Sequence, residues 1–512
     1  MVAFLQESND FLLRHEELLP PVSPTPNFAV LIPDFYRALP QMMAHLQIAN
    51  TAFAGIPKAP EALHTGLPLA LSFADILNNN KLGIEEFFGI GNTPHTILFV
   101  FQNTREIRAT GGFIGSVGVA TIQNGALKDF HFQDVYDLDK QLKMTIPPPE
   151  EFSAITNRLF LRDANYSLHF PTSAQRIKWF YEQESGVKVD TVITGDERFL
   201  EWALSVAGPV TVGENISITP ENAIFTIMYL VEGKFLGKGF DGTSPKEFLG
   251  KLAPELAQKV LKNISVSDIA RLLKLISQKH LLAWSSQTPV QSLFEDFHIT
   301  GEAENSFLPR TTGAVKDFFA IAATNMGANK SDGYISQNID HTNIIAGDGT
   351  LSSVLKIKRT HTWGETDNAL FAQLFSEFGT SATVGNEDLE KILGKGDNAV
   401  FMRVFLPPKI TITSASGIFS GTIKTTPFPT YTEVSFFFPK VSAGKSEEIN
   451  ISYTLPEKVF SKGLEFTAVS QPGMREQNLT ASVLSEVGAP LVSANPVLFS
   501  GEFLEDKSFL VK

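Results

Sequence analysis

The sequence predicts an α/β protein with a mixed β-sheet, preceded by a helical segment and followed by a β-sandwich. Strand-like and helical patterns alternate over residues 94–212, an order typical of stacked α/β layers. Short β-type runs separated by Pro, Gly and Ser turns dominate after residue 395, as they do in small sandwiches. Hydrophobic residues make up 43% of the 512 positions and charged residues 19%, so the chain can bury large cores.

These patterns predict three units. Residues 1–92 form a helical spacer or collar, with a proline-rich break at 18–26 and helices limited by Pro33 and Pro40. The α/β core spans residues 93–394 and contains an inserted helical segment at 219–298. The β-sandwich, for which we expect an immunoglobulin-like arrangement, spans residues 395–512.

The α/β core can be followed element by element. Strands are expected at 97–101, 117–122, 127–132 and 189–194, and a long hairpin at 334–362. A helix should begin with Thr172 as its N-cap and end at Gly186, and a second should cover 197–207.

Charge and composition exclude several function classes. The formal net charge is −13, with 42 basic and 55 acidic residues, so we expect no nucleic-acid partner, which would need a basic face. The absence of cysteine excludes disulfides, thiolate catalysis and cysteine-bound metals. A glycine pattern at 237–242 follows a helical pattern rather than a strand, so we reject it as a dinucleotide site.

The most informative stretch is residues 102–116, which read QNTREIRATGGFIGS. We expect it to connect two strands, so that the guanidinium groups of Arg105 and Arg108 and nearby backbone amides could converge on an anion. The paired glycines Gly111 and Gly112 equally suit a tight bend or close backbone packing.

Two groups of charged residues accompany this stretch. The basic group is Arg105, Arg108 and Arg162, and arginine is suited to bidentate recognition of phosphate or carboxylate. The acidic group is Asp134, Asp137, Asp139 and Asp163. Clustered carboxylates of this kind can hold a Mg²⁺ ion that also contacts phosphates. The alternative is that the arginines and aspartates simply pair with one another.

The motif closely resembles the signature of a bacterial family of unknown function, domain-of-unknown-function family 4012. Segments that carry the resemblance are 102–108, 110–116, 134–139, 161–167, 170–171, 189–190, 208–210 and 323–332. Members usually carry an N-terminal membrane helix, with most of the protein outside the cytoplasm. The resemblance therefore implies an extracytoplasmic bacterial envelope protein, anchored by a helix that this sequence lacks, which is consistent with trimming at residue 1.

The order of elements over residues 96–262 more distantly resembles the LytR–CpsA–Psr glycopolymer transferases. In those enzymes arginines grip the pyrophosphate of a polyprenyl-linked glycan, an acid helps to hold Mg²⁺ and an apolar cavity accepts the lipid. Two departures matter. The transferase loop has an aspartate after its arginine, whereas Arg108 is followed by 109–112, ATGG, and the distal arginines are missing from 228–233, MYLVEG.

Together these observations predict an envelope protein that binds a phosphorylated or polyprenyl-linked glycan. If the protein is an enzyme, it transfers this glycan with Mg²⁺ as cofactor. The expected anion site comprises Arg105, Arg108, Thr110, Gly111, Gly112 and Arg162, and the expected metal ligands are Asp134, Asp137 and Asp163. The alternative is a non-catalytic cell-surface scaffold or adhesion protein, which the missing transferase acid favours. Convergence of the three arginines beside an apolar cavity would separate the two.

Overall fold

The computed structural model describes residues 28–54, 61–91, 93–153, 156–212, 216–228, 245–308, 313–377, 386–418, 423–459, 463–489 and 495–511, with residues 6 and 56. The proline-rich break at 18–26, the glycine pattern at 237–242 and most of the 228–233 segment lie outside these residues. The helices are α1 (Phe28–Ala54), α2 (Glu61–Asn79), α3 (Lys81–Phe87), α4 (Val135–Asp139), α5 (Phe170–Ser185), α6 (Glu197–Ala207), α7 (Pro245–Asn263), α8 (Val266–Ser277), α9 (Thr288–Asp296), α10 (Glu365–Glu377) and α11 (Asn386–Glu390).

Strands fall into two separate regions of the chain. The first seven are β1 (His95–Arg108), β2 (Gly111–Gln123), β3 (Ala126–Asp134), β4 (Thr191–Gly195), β5 (Val210–Val212), β6 (Ile216–Ile218) and β7 (Leu281–Ser285). The others are β8 (Val315–Asn325), β9 (Ile335–Ile345), β10 (Thr350–His361), β11 (Val400–Leu406), β12 (Thr411–Ser416), β13 (Lys424–Pro427), β14 (Thr432–Phe437), β15 (Ser446–Lys458), β16 (Leu464–Val469), β17 (Glu476–Ser485), β18 (Val497–Glu502) and β19 (Lys507–Val511).

The N-terminal helices do not stop at the prolines. Helix α1 runs through both Pro33 and Pro40, contrary to expectation. It buries one apolar face, and its Leu46 packs with Leu67 and Leu71 of α2. This continuous packing outweighs the hydrogen bonds that prolines remove from a helix interior. Whether the segment acts as a collar stays a prediction.

The α/β region is built on a five-stranded mixed sheet. Its order is β3-β2-β1-β4-β7; β1 and β4 are parallel, and the other neighbours are antiparallel. Leu98 and Val100 of β1 pack against Phe170 and Ile177 of α5. The predicted mixed α/β architecture is confirmed.

Two boundaries in this region differ from the predictions. Helix α5 begins at Phe170 rather than after Thr172, although it ends at Gly186, whose φ is 75°, as expected for a left-handed C-cap. The segment 219–298 is not wholly helical, because β7 pairs with β4 at the sheet edge. A five-residue apolar run such as β7 cannot be told from a buried helical turn by periodicity.

The C-terminal region consists of two six-stranded sheets, with orders β12-β15-β10-β9-β17-β18 and β13-β14-β11-β8-β16-β19. Residues of both sheets, such as Phe319 and Ile321 of β8 and Ile339 of β9, share one core. The sandwich therefore starts at β8 rather than at residue 395, because β8 pairs with β11 and β16 and β9 pairs with β17. Such distant pairings leave no local sequence signal. An immunoglobulin-like classification stays a prediction.

Candidate functional site

The predicted loop is a β-hairpin with a bulge rather than an open connection. Strand β1 continues to Arg108, the turn is Ala109-Thr110, and β2 begins at Gly111. Asn103 pairs with Phe113 and Ile107 with the adjacent Gly112, so residues 104–106 have no partners on β2. The bulge redirects Arg105 away from the sheet ladder, as bulges commonly do.

The two glycines allow the hairpin strands to close. A Cβ on Gly112 would lie 2.1 Å from the carbonyl oxygen of Asn103, and one on Gly111, whose φ is 137°, would lie 2.5 Å from Gln102 Oε1. The Gly112 amide donates to Gln102 Oε1 at 2.8 Å. The Gly112 amide predicted to hold an anion is therefore engaged within the protein. The Thr110 hydroxyl is buried without a hydrogen-bond partner among the described residues.

Arg108 is buried, and both of its terminal guanidinium nitrogens form hydrogen bonds, while its Nε has no partner among the described residues. Its guanidinium donates to Glu106 Oε1 at 3.0 Å and to the Asn325 carbonyl at 3.0 Å. Glu106 also pairs with Lys330 at 2.9 Å. Burial alone would raise the pKa of Glu106, but Lys330 and Arg108 together hold it below its ordinary value. Arg108 thus balances a buried carboxylate and points at no free ligand position.

The Arg108–Glu106–Lys330 contacts belong to a larger group of polar residues that joins the hairpin to the sandwich. Asp332 accepts from Arg359 at 2.9 Å and from the Ile107 amide at 3.2 Å. Asn325 Nδ2 donates to the same carboxylate at 2.6 Å. We refer to the charged members as the joint network: Glu106, Arg108, Lys330, Asp332 and Arg359.

Arg162 lies in a different environment. It donates to Asp139 Oδ2 at 2.8 Å and stacks over Phe160, with its guanidinium carbon 4.3 Å from the ring centroid. Burial, outweighing Arg162, raises the pKa of Asp139 to about 7. Burial together with Asp139 raises the pKa of Glu184 to about 8. We refer to this group as the carboxylate cluster: Asp139, Arg162, Asp163 and Glu184.

Arg105, the third predicted arginine, lies in the bulge. Its guanidinium carbon is 5.4 Å from the ring centroid of Tyr334, and its Nε is buried without a hydrogen-bond partner among the described residues. Arg108 and Arg162 thus each have their own carboxylate partner and both oppose the rise in the pKa of Asp163, whereas Arg105 stacks on Tyr334. None of them lines the open cavity of about 570 Å³, whose lining comprises Asn50, Pro68, Leu71, Ser72, Asp75, Ile76, Asn79, Asp296 and His298.

The predicted metal ligands have three different environments. Asp134 caps α4 by accepting from the Tyr136 amide at 2.8 Å. Asp137 is exposed and pairs with Lys140 at 2.8 Å, and Asp163 is buried, with burial raising its pKa despite Arg108 and Arg162. Within the part of the chain that the structure describes, no group of three or more His, Cys, Asp or Glu side chains is placed to hold a metal ion. These donors do not fit the expected Mg²⁺ site.

Sequence reasoning missed the partners of its own arginines. Glu106 lay inside the motif, and Lys330 and Asp332 lay inside the 323–332 landmark, but none received a role. A run of polar residues directly after the apolar strand β8 was the available signal. Arg359 occupies an ordinary position in the alternating pattern of strand β10, so the sequence gives no signal of its role.

None of the described helices is both long and apolar enough to span a bilayer. Solved structures similar to this chain include protein gbs0355 from Streptococcus agalactiae, with 16% identity, a TM-score of 0.27, and coverage of 40% of this chain and 75% of that one. Lin1025 from Listeria innocua has 12% identity, a TM-score of 0.25 and coverage of 41% and 79%. TagV from B. subtilis has 12% identity, a TM-score of 0.19 and coverage of 41% and 81%.

At such TM-scores these structures carry no argument about this chain. No curated protein matches the chain. A family model, described as protein of unknown function (DUF4012), matches residues 92–231. The resemblance inferred from the 102–116 motif is therefore confirmed, and residues 92–231 match the DUF4012 family.

Proposed function

We propose that this protein serves the bacterial cell envelope, in connection with cell-wall glycopolymers, as a non-catalytic scaffold outside the cytoplasm. The family match over residues 92–231 and the sequence resemblance to glycopolymer transferases support the setting. The departures at 109–112 and 228–233 support a role without transfer.

One observation carries the proposal: Arg108 and Arg162, two of the three arginines expected to grip phosphate, are each paired with a buried carboxylate. Arg108 meets Glu106 at 3.0 Å and Arg162 meets Asp139 at 2.8 Å. Removing one partner of a buried pair leaves the other charge uncompensated, which costs about 3–5 kcal/mol. A side chain committed in this way holds the fold together and is not available to a substrate.

The test combines stability with activity in the full chain. Arg108→Met should lower the free energy of unfolding by about 3 kcal/mol, whereas Arg176→Met, which alters an exposed arginine of α5, should leave it unchanged. Wild-type protein incubated with a polyprenyl-pyrophosphate-linked glycan, Mg²⁺ and peptidoglycan should transfer nothing. Transfer by the wild type, or Arg108→Met with wild-type stability and lost lipid binding, would contradict the scaffold.

A second candidate is the binding or transfer of a phosphorylated or polyprenyl-linked glycan by a membrane-anchored protein, with Mg²⁺ as cofactor. It is favoured by buried polar atoms near the hairpin that lack hydrogen-bond partners among the described residues, namely Thr110 Oγ1 and Asp163 Oδ2. Because no group of three or more donors among the described residues is placed to hold a metal ion, we derive no catalytic step through Mg²⁺. Substrate-dependent stabilisation that is lost in Asp163→Asn, while stability without substrate is kept, would establish this candidate.

A further inference from the structure

The loop between β16 and β17 packs directly on the β1–β2 turn. Gln471 Nε2 donates to the carbonyls of Arg108 at 3.0 Å and Ala323 at 2.8 Å. Gly473 has a φ of 79°, and a Cβ there would lie 2.4 Å from the Gly111 carbonyl oxygen. The hairpin and this loop are therefore held at a fixed separation, and the residue that ends the loop has a defined position.

That residue is Arg475, and the sheet register places it close to Arg105. Glu476 pairs with Ser336 in the parallel β9–β17 ladder, and the Ser336 hydroxyl donates to the Glu476 carboxylate at 2.8 Å. Arg475 precedes this pair, so it lies beside the start of β9, next to Tyr334. Tyr334 is the residue against which Arg105 stacks, at 5.4 Å.

Neither guanidinium group has a carboxylate within ion-pair distance among the described residues, although Glu197 and Glu201 are near enough to act on the pKa of Arg475. Arg475 Nη1 and Arg105 Nε are both buried without a hydrogen-bond partner, and neither arginine forms an ion pair with any described residue. Burial and the charge of Arg105 hold the pKa of Arg475 below its ordinary value. Arg108, Arg162 and Arg359 in the same half of the molecule each have a carboxylate within 3.0 Å.

The nearest acids are already engaged. Glu197 accepts from the Thr104 amide with both carboxylate oxygens at 3.0 Å, and Glu201 pairs with Arg198 at 3.0 Å. Arg105, Arg475 and Arg198 outnumber these two acids, so an excess positive charge remains in a desolvated setting, which is unfavourable. A bound anion would remove that penalty.

We propose that Arg105 and Arg475 bind one phosphate group between them, beside the Tyr334 ring. Two guanidinium forks match the oxygens of a tetrahedral dianion, with two donors from each side. Both side chains are partly exposed, so an anion can reach them from solvent. The inference does not depend on the scaffold role: it keeps Arg105 from the predicted anion site but replaces Arg108 and Arg162 with Arg475.

The test is titration of the full chain with inorganic phosphate, followed by calorimetry and thermal melting. Phosphate should raise the Tm of the wild type. Arg475→Met, which keeps the apolar stem, should weaken phosphate binding at least about tenfold and raise the Tm without phosphate, because it removes a buried like charge. Arg105→Met should weaken binding similarly, and the exposed-arginine control Arg176→Met should behave as wild type.

A second ligand identifies the source of the phosphate. Tighter binding of a hexose 1-phosphate than of inorganic phosphate would assign the site to a phosphorylated glycan, and equal binding would assign it to free phosphate; both uphold the site. Absence of any phosphate-induced shift at millimolar concentration would overturn the proposal. So would full phosphate binding by Arg475→Met and Arg105→Met, whatever their stability.

Discussion

The joint network and the carboxylate cluster are both buried groups of charges around the same hairpin, yet they have opposite electrostatic balances. In the joint network three cations, Arg108, Lys330 and Arg359, face two carboxylates, and the pKa of Glu106 is lowered. In the carboxylate cluster Arg162, joined by Arg108 at Asp163, faces three carboxylates, and all three have raised pKa values. Burial favours the neutral form of an acid unless enough cations oppose it.

This difference indicates what each region does. The joint network holds Glu106 in its charged form at neutral pH and connects the α/β sheet to the sandwich, so it is a structural element. The carboxylate cluster changes protonation close to neutral pH. The hairpin therefore has one side whose stability is insensitive to pH near neutrality and one side whose stability varies with it.

The largest expected effect comes from breaking the joint network at its most buried member. Arg359 is 1% exposed, and Arg359→Met leaves Asp332 without its cation. We expect a loss of about 4 kcal/mol in the free energy of unfolding, measured by urea denaturation. As a control, Lys140→Met breaks the exposed pair with Asp137 and should change stability by less than about 1 kcal/mol. Equal effects of the two variants would remove the distinction between this network and surface pairs.

A smaller loss of stability is expected from a substitution that forces apart strands β1 and β2 of the hairpin, which contacts both the joint network and the carboxylate cluster. Gly112→Ala places a Cβ 2.1 Å from the Asn103 carbonyl oxygen, whereas a Cβ on Gly115 of the same strand meets nothing within 4 Å. Gly112→Ala should destabilise the protein by about 2 kcal/mol, and Gly115→Ala by less than about 0.5 kcal/mol. Thermal denaturation of both variants checks this, and a tolerated Gly112→Ala would mean that the hairpin is looser than described.

The last prediction concerns pH and tests the carboxylate cluster. Because the folded pKa of Glu184 is about 8 and that of an unfolded Glu about 4.3, the folded state binds the proton more tightly. Stability from this group is complete below about pH 4 and is lost as pH rises toward about 8. Glu184→Gln should therefore be more stable than the wild type at about pH 9 and equal to it at about pH 4.

Urea denaturation across this pH range provides the measurement, with Asp129→Asn, an exposed carboxylate of β3, as the control. If Glu184→Gln keeps the pH dependence of the wild type, the cluster does not titrate as described.

Local sequence patterns predicted many of the helices and strands, whereas the domain boundary and the ion-pair partners depend on long-range contacts. The β1–β2–β3 meander follows from apolar runs and the Asn124-Gly125 turn, and Gly186 ends α5 as its sequence indicates. The sandwich boundary was wrong because β8 pairs with β16, far along the chain. The site could not be predicted for the same reason. The charged groups around Arg105 and Arg108 come from distant chain segments near residues 330 and 475, and ion-pair partners leave no periodic signal in the sequence.

The central claim is that Arg108 is a structural partner of Glu106 and not a phosphate ligand. A double-mutant cycle with Glu106→Gln and Arg108→Met in urea denaturation tests it most directly. The structure predicts a coupling free energy of about 2 kcal/mol between the two positions. Additive losses, with coupling near zero, would contradict the claim and return Arg108 to the candidate ligands.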